Sequence, residues 1–380
     1  MVARLLLSLD GGGVRGVITT TILSLIEKEI LRGRVMADIV SAVAGTSAGA
    51  INAGFIAQKT PMKHVLRGPL SHQELVQTFQ KTLMARIPLL GKLFQQYRGE
   101  PKWDQLHDCY GDQLITHCDI KILIPTLDWT VQSPGFFHNF SSASDFVLYT
   151  RLCDAIHASS SPPYYLPCFQ ITDARSFMKS ISRNQKSRST TYTCPREAHL
   201  YLARQEYPND IVIGEIPQYP IPRNRSTPNR TPKSGDFFCD GGLATNTPDI
   251  TLFGMARKEW PNDDLFVLSI GTGYSFQEAT EEYKPYQSNV VGLVSSGILN
   301  TIMDAPDGVN VIDSSLIVNG NGTKRYLRID EPLPPGFDMD IFNLSEYHIE
   351  CLQDIGISWY EKHRDELFSF LNPFLVGKIY

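Results

Sequence analysis

The sequence contains no apolar run of the roughly 20 residues that a membrane-spanning helix needs. It also lacks a basic excess, because its formal net charge is −5 over 380 residues, which argues against a nucleic-acid-binding protein. The apolar stretch that follows Met1 ends at Asp10 and is too short for the core of a signal peptide. We therefore expect a cytoplasmic protein, while delivery into another cell by a route that uses no such signal stays open.

Paired cysteines are also missing. The chain has seven cysteines, an odd number, and none of them forms a Cys-x-x-Cys pair. This pattern argues against a disulfide framework and against a zinc site. It favours free buried thiols in a reducing compartment. No group of His, Cys, Asp and Glu has the spacing of metal ligands, so we expect neither a metal nor another cofactor.

What the sequence does contain is an alternation of apolar strands and helices. Hydrophobic residues make up 42% and charged residues 20%, as in ordinary globular proteins. Strands are predicted at 4–9, 38–44, 120–128 and 265–270, and helices at 17–31, 48–58 and 148–159. This order predicts an α/β fold, a three-layer sandwich with a mainly parallel central sheet and helices on both faces. We expect one domain over residues 1–380, with its core at about 4–370.

One segment differs from this pattern. Between Asp173 and Lys233 there are eleven Lys or Arg residues against five Asp or Glu, with many Ser, Thr, Asn and Pro residues. This composition predicts a basic surface insertion at about 173–235, with a hairpin at 211–221.

A Gly-x-Ser-x-Gly motif lies between a predicted strand and a predicted helix. It runs from Gly45 through Ser47 to Gly49. Small flanking residues let the chain turn sharply there, so that the serine oxygen projects above the sheet and beside a helix N-terminus. Taken alone the motif is short enough to arise by chance, and a purely structural glycine turn is the alternative.

A glycine-rich loop lies after the first predicted strand, with the sequence Asp-Gly-Gly-Gly-Val-Arg-Gly over residues 10–16. Its backbone N–H groups and the helix that follows suit an anion, either a phosphate or the oxyanion of acyl transfer. A P-loop is excluded because no Lys-Ser or Lys-Thr follows Gly16. The dinucleotide fingerprint is present, but Asp38 lies at the start of the second strand instead of at its end, which disfavours nucleotide binding.

A third motif, Asp240-Gly241-Gly242, would by itself be an ordinary Asp-Gly turn. Together, however, the three motifs resemble the patatin-like phospholipase family, in their composition and in their order along the chain. The segments 158–167 and 269–273 are similar to further parts of that family. The similarity runs from about residue 4 to about residue 370.

The resemblance implies a lipid acyl hydrolase in which Ser47 is the nucleophile and Asp240 is the only base. It implies a phospholipid or lysophospholipid substrate, a transient membrane surface, no nucleic-acid partner and no cofactor, with an unknown protein or small-molecule activator left open. The backbone amides of the glycine loop would form the oxyanion hole, Arg15 would support that loop, and four further glycines would support the turns. These loop and turn glycines are Gly11, Gly12, Gly13, Gly45, Gly49, Gly241 and Gly242.

Two alternatives stay open. One is an α/β-hydrolase esterase with a Ser-His-Asp triad, because His348 and His363 follow Asp240 in the order that this fold requires. Both histidines lie in a polar helical pattern over 345–370, and we predict that they are solvated. The other is a non-enzymatic storage or binding protein that retains the motifs.

An enzyme that acts peripherally on membranes needs a docking patch. The basic stretch from Arg175 to Lys233 is one candidate. The segment Leu83–Phe94, apolar with interspersed cations, is the other. A core-packing helix pair is the alternative interpretation of the second segment.

Overall fold

The computed structural model describes residues 2–66, 96–163, 165–171, 231–274, 310–319 and 324–375. Most of the basic insertion, its expected hairpin at 211–221, and the segment Leu83–Phe94 lie outside these residues, so the predictions made for them stay predictions.

A single sheet of eight strands organises the described part of the chain. Its order is β5-β6-β3-β2-β1-β7-β8, and β4 pairs additionally with β3. Five neighbouring strands, β3, β2, β1, β7 and β8, run parallel to one another. Strands β4, β5 and β6 are antiparallel to their neighbours. The strands are Ala3–Leu9 (β1), Val40–Gly45 (β2), Lys121–Asp128 (β3), Ser133–His138 (β4), Phe169–Gln170 (β5), Phe237–Cys239 (β6), Asp264–Ile270 (β7) and Tyr326–Ile329 (β8).

Strand β1 lies at the centre and is buried on both faces. Leu5, Leu7 and Leu9 pack into one hydrophobic cluster and Leu6 into another, because successive side chains of a strand point to opposite faces. This explains why the predicted strands are continuous apolar runs instead of alternating ones. Helices cover both faces, so the predicted three-layer α/β sandwich is confirmed.

The helices are α1 (Gly16–Leu25, continued by a wider turn over Ile26–Ile30), α2 (Ala48–Ala57), α3 (Met62–Leu66), α4 (Glu100–Tyr110), α5 (Asp145–Leu148), α6 (Leu152–Ser159), α7 (Asp249–Glu259), α8 (310–319) and α9 (Glu346–Leu375). The helix predicted at 148–159 is confirmed over Leu152–Ser159, but it begins later than predicted. The chain is interrupted there because the carbonyl oxygen of Thr150 accepts a hydrogen bond from Ile115 N, and Leu152 N donates to Gln113 O.

Strand β6 uses an edge of β3 that β2 leaves free. Leu123 pairs with β2 on one edge and with β4 on the other, whereas Leu127, farther along β3, pairs with β4 and β6. Because a strand has only two edges, β6 must lie on the side from which β2 has departed. The antiparallel β6 therefore runs back toward the end of β2 and delivers the residue after Cys239 to that point.

Candidate active site

Ser47 lies in a strained turn between β2 and α2. Its φ of 53° and ψ of −116° fall in a region that L residues with a side chain rarely adopt. The flanking glycines make the turn possible. A Cβ atom on Gly45 would lie 2.1 Å from the carbonyl oxygen of Gly49, and one on Gly49 would lie 2.3 Å from that of Leu9. This geometry agrees with the sharp strand-to-helix turn that the motif predicts.

Ser47 and Asp240 are in direct contact. Ser47 Oγ donates a hydrogen bond to Asp240 Oδ2 at 3.0 Å, and the backbone N–H of Gly242 donates to Asp240 Oδ1 at 2.8 Å. Asp240 is fully buried and Ser47 is 7% exposed. Gly241 is required for close packing, because a Cβ atom there would lie 2.3 Å from the carbonyl oxygen of Pro125.

Burial makes Asp240 a stronger base than an ordinary aspartate. The loss of hydration raises its pKa to about 6, while the hydrogen bonds from Gly242 and Ser47 and the charge of Lys102 oppose this rise. The carboxyl group therefore remains ionised at neutral pH, yet it accepts a proton more readily than a carboxylate in water.

The glycine loop lies beside this pair, since a Cβ atom on Gly11 would be 3.2 Å from Ser47 Cβ. The N–H of Gly11 donates to the carbonyl oxygen of Asn246 at 3.3 Å and is already occupied. Within the described part of the chain, by contrast, the N–H groups of Gly12 and Gly13 donate no hydrogen bond. The loop thus presents two adjacent donors, not three.

Side chains hold the loop in place from outside. Arg15 is buried and donates from Nε to the carbonyl oxygen of Gly12 at 3.3 Å and from Nη1 to that of Gly273 at 2.7 Å. Thr272 Oγ1 donates to the carbonyl oxygen of Gly11 at 2.7 Å. The guanidinium group of Arg15 therefore contacts backbone carbonyls of the loop and its neighbour, as expected for a supporting residue.

An ion pair that the sequence did not reveal anchors the start of the loop. Arg328 on β8 donates from Nη2 to Asp10 Oδ2 at 2.6 Å and to Asp330 Oδ2 at 2.7 Å. Thr247 Oγ1 also donates to Asp10 Oδ2, at 3.0 Å. The two carboxylates raise the pKa of Arg328, which stays charged. No motif marks Arg328, and only the pairing of β8 with β7 brings it here.

A short segment that begins with the last residue of α6 touches both members of the Ser47–Asp240 pair. The N–H of Ser47 donates to Ser159 Oγ at 3.1 Å, and the N–H of Asp240 donates to the carbonyl oxygen of Ser161 at 3.0 Å. The sequence had marked these serines only as similar to a family segment. In the structure they set the spacing between the nucleophile and the carboxylate.

Lys102 on α4 holds this serine segment and was missed by the sequence analysis. Its side chain is 1% exposed. Its Nζ donates to the carbonyl oxygens of His157, at 3.1 Å, and Ser160, and to Ser161 Oγ at 3.2 Å. Burial lowers the pKa of Lys102 to about 7, and the charge of Asp240 opposes that change. A buried lysine whose Nζ donates only to neutral oxygens would point to a functional site, but the sequence does not reveal that Lys102 is buried.

The two histidines of the triad alternative lie elsewhere. His348 was expected to be solvated, but it is 4% exposed and its ring packs on Phe337 at 5.0 Å between centroids. His363 contacts Glu331 Oε1 at 2.8 Å and Glu366 Oε2 at 3.2 Å. The prediction that His348 is solvated is therefore wrong, because α9 turns its side chain toward the core. Among the described residues neither imidazole contacts the Ser47–Asp240 pair.

A cavity of about 650 Å³ lies where β1, β2 and β3 begin, is lined by residues such as Asp38, Lys59 and Lys121, and holds no residue of the three motifs. Across the described ranges no group of three His, Cys, Asp or Glu side chains is arranged to hold a metal ion. No helix described here has the length and apolarity to cross a membrane.

Known proteins resemble this chain over a range that includes the glycine loop and Ser47. A family model described as Patatin-like phospholipase matches residues 7–192, a range that includes the glycine loop and Ser47 but ends before Asp240. Patatin-like protein 1 of Arabidopsis thaliana is 25% identical over 374 residues, covering 92% of this chain and 80% of that protein. Patatin-like protein 1 of Oryza sativa subsp. indica is 28% identical over 184 residues, covering 44% of each chain.

Two solved structures are also similar. Human GIVD cytosolic phospholipase A2 in complex with methyl gamma-linolenyl fluorophosphonate has a TM-score of 0.44 and 12% identity, covering 98% of this chain but only 59% of that one. VipD from Legionella pneumophila has a TM-score of 0.39 and 11% identity, covering 95% of this chain and 67% of that one.

Proposed function

We propose that this chain, which matches the Patatin-like phospholipase family model over residues 7–192 and is similar to curated patatin-like proteins, is a lipid acyl hydrolase of the phospholipase A or lysophospholipase type that works through Ser47 and Asp240. The observation that carries the proposal is the hydrogen bond of 3.0 Å from Ser47 Oγ to Asp240 Oδ2. A nucleophile in direct contact with a buried base needs no histidine between them.

The reaction proceeds in two halves. Ser47 Oγ attacks the ester carbonyl carbon while Asp240 accepts the hydroxyl proton, and the tetrahedral intermediate then expels the alcohol, which takes that proton. In the second half Asp240 accepts a proton from water, the resulting hydroxide attacks the acyl-enzyme, and the fatty acid leaves as Ser47 recovers its proton. The raised pKa of Asp240, about 6, suits both proton transfers near neutral pH.

Two amides of the glycine loop would stabilise the negative oxygen that forms in each half. Gly12 and Gly13 are the donors we propose, because their N–H groups have no acceptor within the described part of the chain. Gly11, whose amide is bound to Asn246, would instead let the loop approach Ser47. Arg15 would keep the loop carbonyls turned away from the oxyanion.

The substrate class follows from this chemistry and from the family. We propose phospholipids or lysophospholipids met transiently at a membrane surface by a cytoplasmic, peripherally bound enzyme. The whole chain, residues 1–380, would form one domain that carries the basic insertion at about 173–235. An activator, if one exists, would have to act on the access to Ser47, since the Ser47–Asp240 hydrogen bond is already formed.

The Ser47–Asp240 pair is tested by two substitutions. Ser47→Ala and Asp240→Asn should each lower the hydrolysis of a short soluble ester by roughly 10⁴-fold or more, as the loss of a nucleophile or its base does. His363→Gln, the control, should retain most of the activity. A folded His363→Gln protein without activity would favour the triad instead.

A fluorophosphonate probe and lipid mass spectrometry extend this test. The wild-type protein should be labelled on Ser47, and phospholipid vesicles exposed to it should accumulate free fatty acid and lysophospholipid that are absent with Ser47→Ala. Folded wild-type protein that is neither labelled nor active would point to the storage or binding alternative.

A further inference from the structure

Two cysteines face each other across the strands that lead to Asp240. In the antiparallel pair β5–β6, Phe169 is opposite Phe238 and Gln170 is opposite Phe237. The next position in this register places Cys168 opposite Cys239. Directly opposite residues of an antiparallel pair have side chains on the same face of the sheet.

The type of pairing at this position suits a disulfide. Ile171 N donates to the carbonyl oxygen of Asp236, so the hydrogen-bonded pairs in this ladder are 171–236 and, two residues on, 169–238. Cys168 and Cys239 therefore occupy a non-hydrogen-bonded pair, in which the Cα atoms are about 4.5 Å apart. Disulfides are found at Cα separations of about 4.4–6.8 Å.

The two thiols are reduced and in contact, and they differ in exposure. Both cysteines are free, Cys239 is fully buried and Cys168 is partly exposed. The neighbouring Cys239 thiol lowers the pKa of Cys168, while the Cys168 thiol and burial raise the pKa of Cys239. Cys168 is thus the more acidic and the more accessible thiol, as the attacking member of a reactive pair should be.

Cys239 is joined by a peptide bond to Asp240, whose carboxylate lies 3.0 Å from Ser47 Oγ. We propose that Cys168 and Cys239 form a reversible disulfide, and that this disulfide slows hydrolysis by displacing Asp240 from Ser47. The effect on activity rests on the proposed function, whereas formation of the bond does not.

The chemistry is thiol–disulfide exchange with a small-molecule disulfide such as oxidised glutathione. The Cys168 thiolate attacks one sulfur of the reagent, forms a mixed disulfide and releases one glutathione thiolate. The Cys239 thiol then loses its proton and attacks Cys168 Sγ, which releases the second glutathione. Two protein thiols are oxidised to one disulfide, and one glutathione disulfide is reduced to two thiols.

The bond should affect catalysis because it ties the residue before Asp240 to another strand. The Cα separation lets the bond form between strands that stay paired, but the two thiol side chains must rotate toward each other, and Cys239 then holds the start of the Asp240 turn in the position that the bond sets. The misplacement of a reacting group by about 1 Å can lower a rate by about 10²-fold. Asp240, the residue next to the bond, is the group that would move.

The test uses the full reduced chain incubated with oxidised glutathione. Peptide mapping without reduction should find Cys168 linked to Cys239, and the initial rate on a short soluble ester should fall at least 10-fold and recover with dithiothreitol. Cys168→Ser should have normal basal activity and no response to the oxidant. The matched control Cys351→Ser, which removes a partly exposed thiol of α9, should respond as the wild type does.

Several outcomes would overturn the proposal. These are mapping that finds no Cys168–Cys239 link or finds Cys168 joined to another cysteine, a linked protein with an unchanged rate, and a Cys168→Ser protein that the oxidant still inhibits. A reduced protein that hydrolyses no ester would refute the proposed function instead, and peptide mapping would then decide by itself whether the bond forms.

Discussion

The buried ammonium group of Lys102 donates a hydrogen bond to Ser161 Oγ at 3.2 Å, and the carbonyl oxygen of the same serine accepts the backbone N–H of Asp240 at 3.0 Å. Two residues earlier, Ser159 accepts the backbone N–H of Ser47. One lysine thus fixes the segment that sets both the position of the nucleophile and that of its base. Its charge also opposes the burial-induced rise in the pKa of Asp240.

The first prediction concerns Lys102→Met. Without the ammonium group, the carbonyl oxygens of His157 and Ser160 lose a donor and the serine segment is held less firmly. We expect kcat on a short soluble ester to fall about 10–100-fold, in line with the cost of misplacing a reacting group. The acid limb of the pH–rate profile should also move to higher pH, because the loss of a nearby positive charge raises the pKa of Asp240.

Lys258→Met, which changes an exposed residue of α7, is the control and should change neither quantity. A merely structural role for Lys102 would lower the melting temperature and leave the acid limb in place. That result, an unshifted acid limb in folded Lys102→Met, would contradict an electrostatic effect of Lys102 on Asp240.

The second prediction tests the glycine loop. A Cβ atom on Gly12 would lie 2.2 Å from Thr272 Oγ1, so Gly12→Ala must push the loop away from its support. The proposed oxyanion donors would rotate with it, and the loss of one such donor costs about 10²–10³ in turnover. We expect a folded protein that still binds lipid vesicles but turns over slowly.

Gly254→Ala is the matched control. Gly254 is an exposed residue of α7, and apart from its chain neighbours and the backbone of its own helix no described atom lies within 4 Å of the Cβ that would be added there. Alanine in a helix is favoured over glycine by up to about 1 kcal/mol, so this variant should be slightly more stable and fully active. Equal turnover in the two variants would mean that the loop has only a structural role.

Much of this site was visible in the sequence because its parts are local. The glycines around Ser47 and the glycine-rich loop are needed for backbone geometry within a few residues, so short motifs identify them. No sequence motif identifies Lys102 or Arg328, because each reaches the site from a separate element through a tertiary contact. The same holds for Cys168, since only the register of β5 with β6 places it opposite Cys239.

The errors have a similar cause. The polar pattern around His348 predicted exposure, but α9 lies against α1 and Phe337 and takes that side chain with it. The prediction that all three loop amides serve the oxyanion stays a prediction, but it took no account of a distant acceptor. The carbonyl oxygen of Asn246, 235 residues away along the chain, occupies the amide of Gly11. Neither the packing of a distant helix nor the partner of a single amide can be inferred from spacing along the chain.

The third prediction is the pH dependence of the Ser47–Asp240 pair. The base must be ionised, so kcat should fall as the pH drops below about 6, the pKa of Asp240. The folded-state pKa lies above 3.8, the ordinary pKa of an aspartate, so the buried carboxylate destabilises the fold fully above pH 6. This cost is relieved as the pH falls from 6 toward 3.8, where the folded state holds the extra proton.

Asp240→Asn should therefore be inactive yet more stable than the wild type above pH 6, with the difference in melting temperature shrinking toward pH 4. Thermal melts of the two proteins across this range check the prediction. A stability difference that grew as the pH fell would mean that burial does not raise the pKa of Asp240.

The last prediction concerns membrane docking by the basic insertion, and it rests on the sequence alone because these residues lie outside the described part of the chain. Arg183, Lys186 and Arg188 belong to the basic stretch. Each Lys or Arg near an anionic bilayer contributes about 1 kcal/mol, so reversal of all three to Glu should weaken binding to anionic vesicles by about 10²-fold or more at low salt. Hydrolysis of a short soluble ester should be unchanged.

The control reverses Lys28, Arg32 and Arg34, three exposed cations near the end of α1, and makes the same change in net charge. If both triple variants lose vesicle binding equally, net charge and not the insertion governs docking, and if neither does, the basic stretch is not the docking surface.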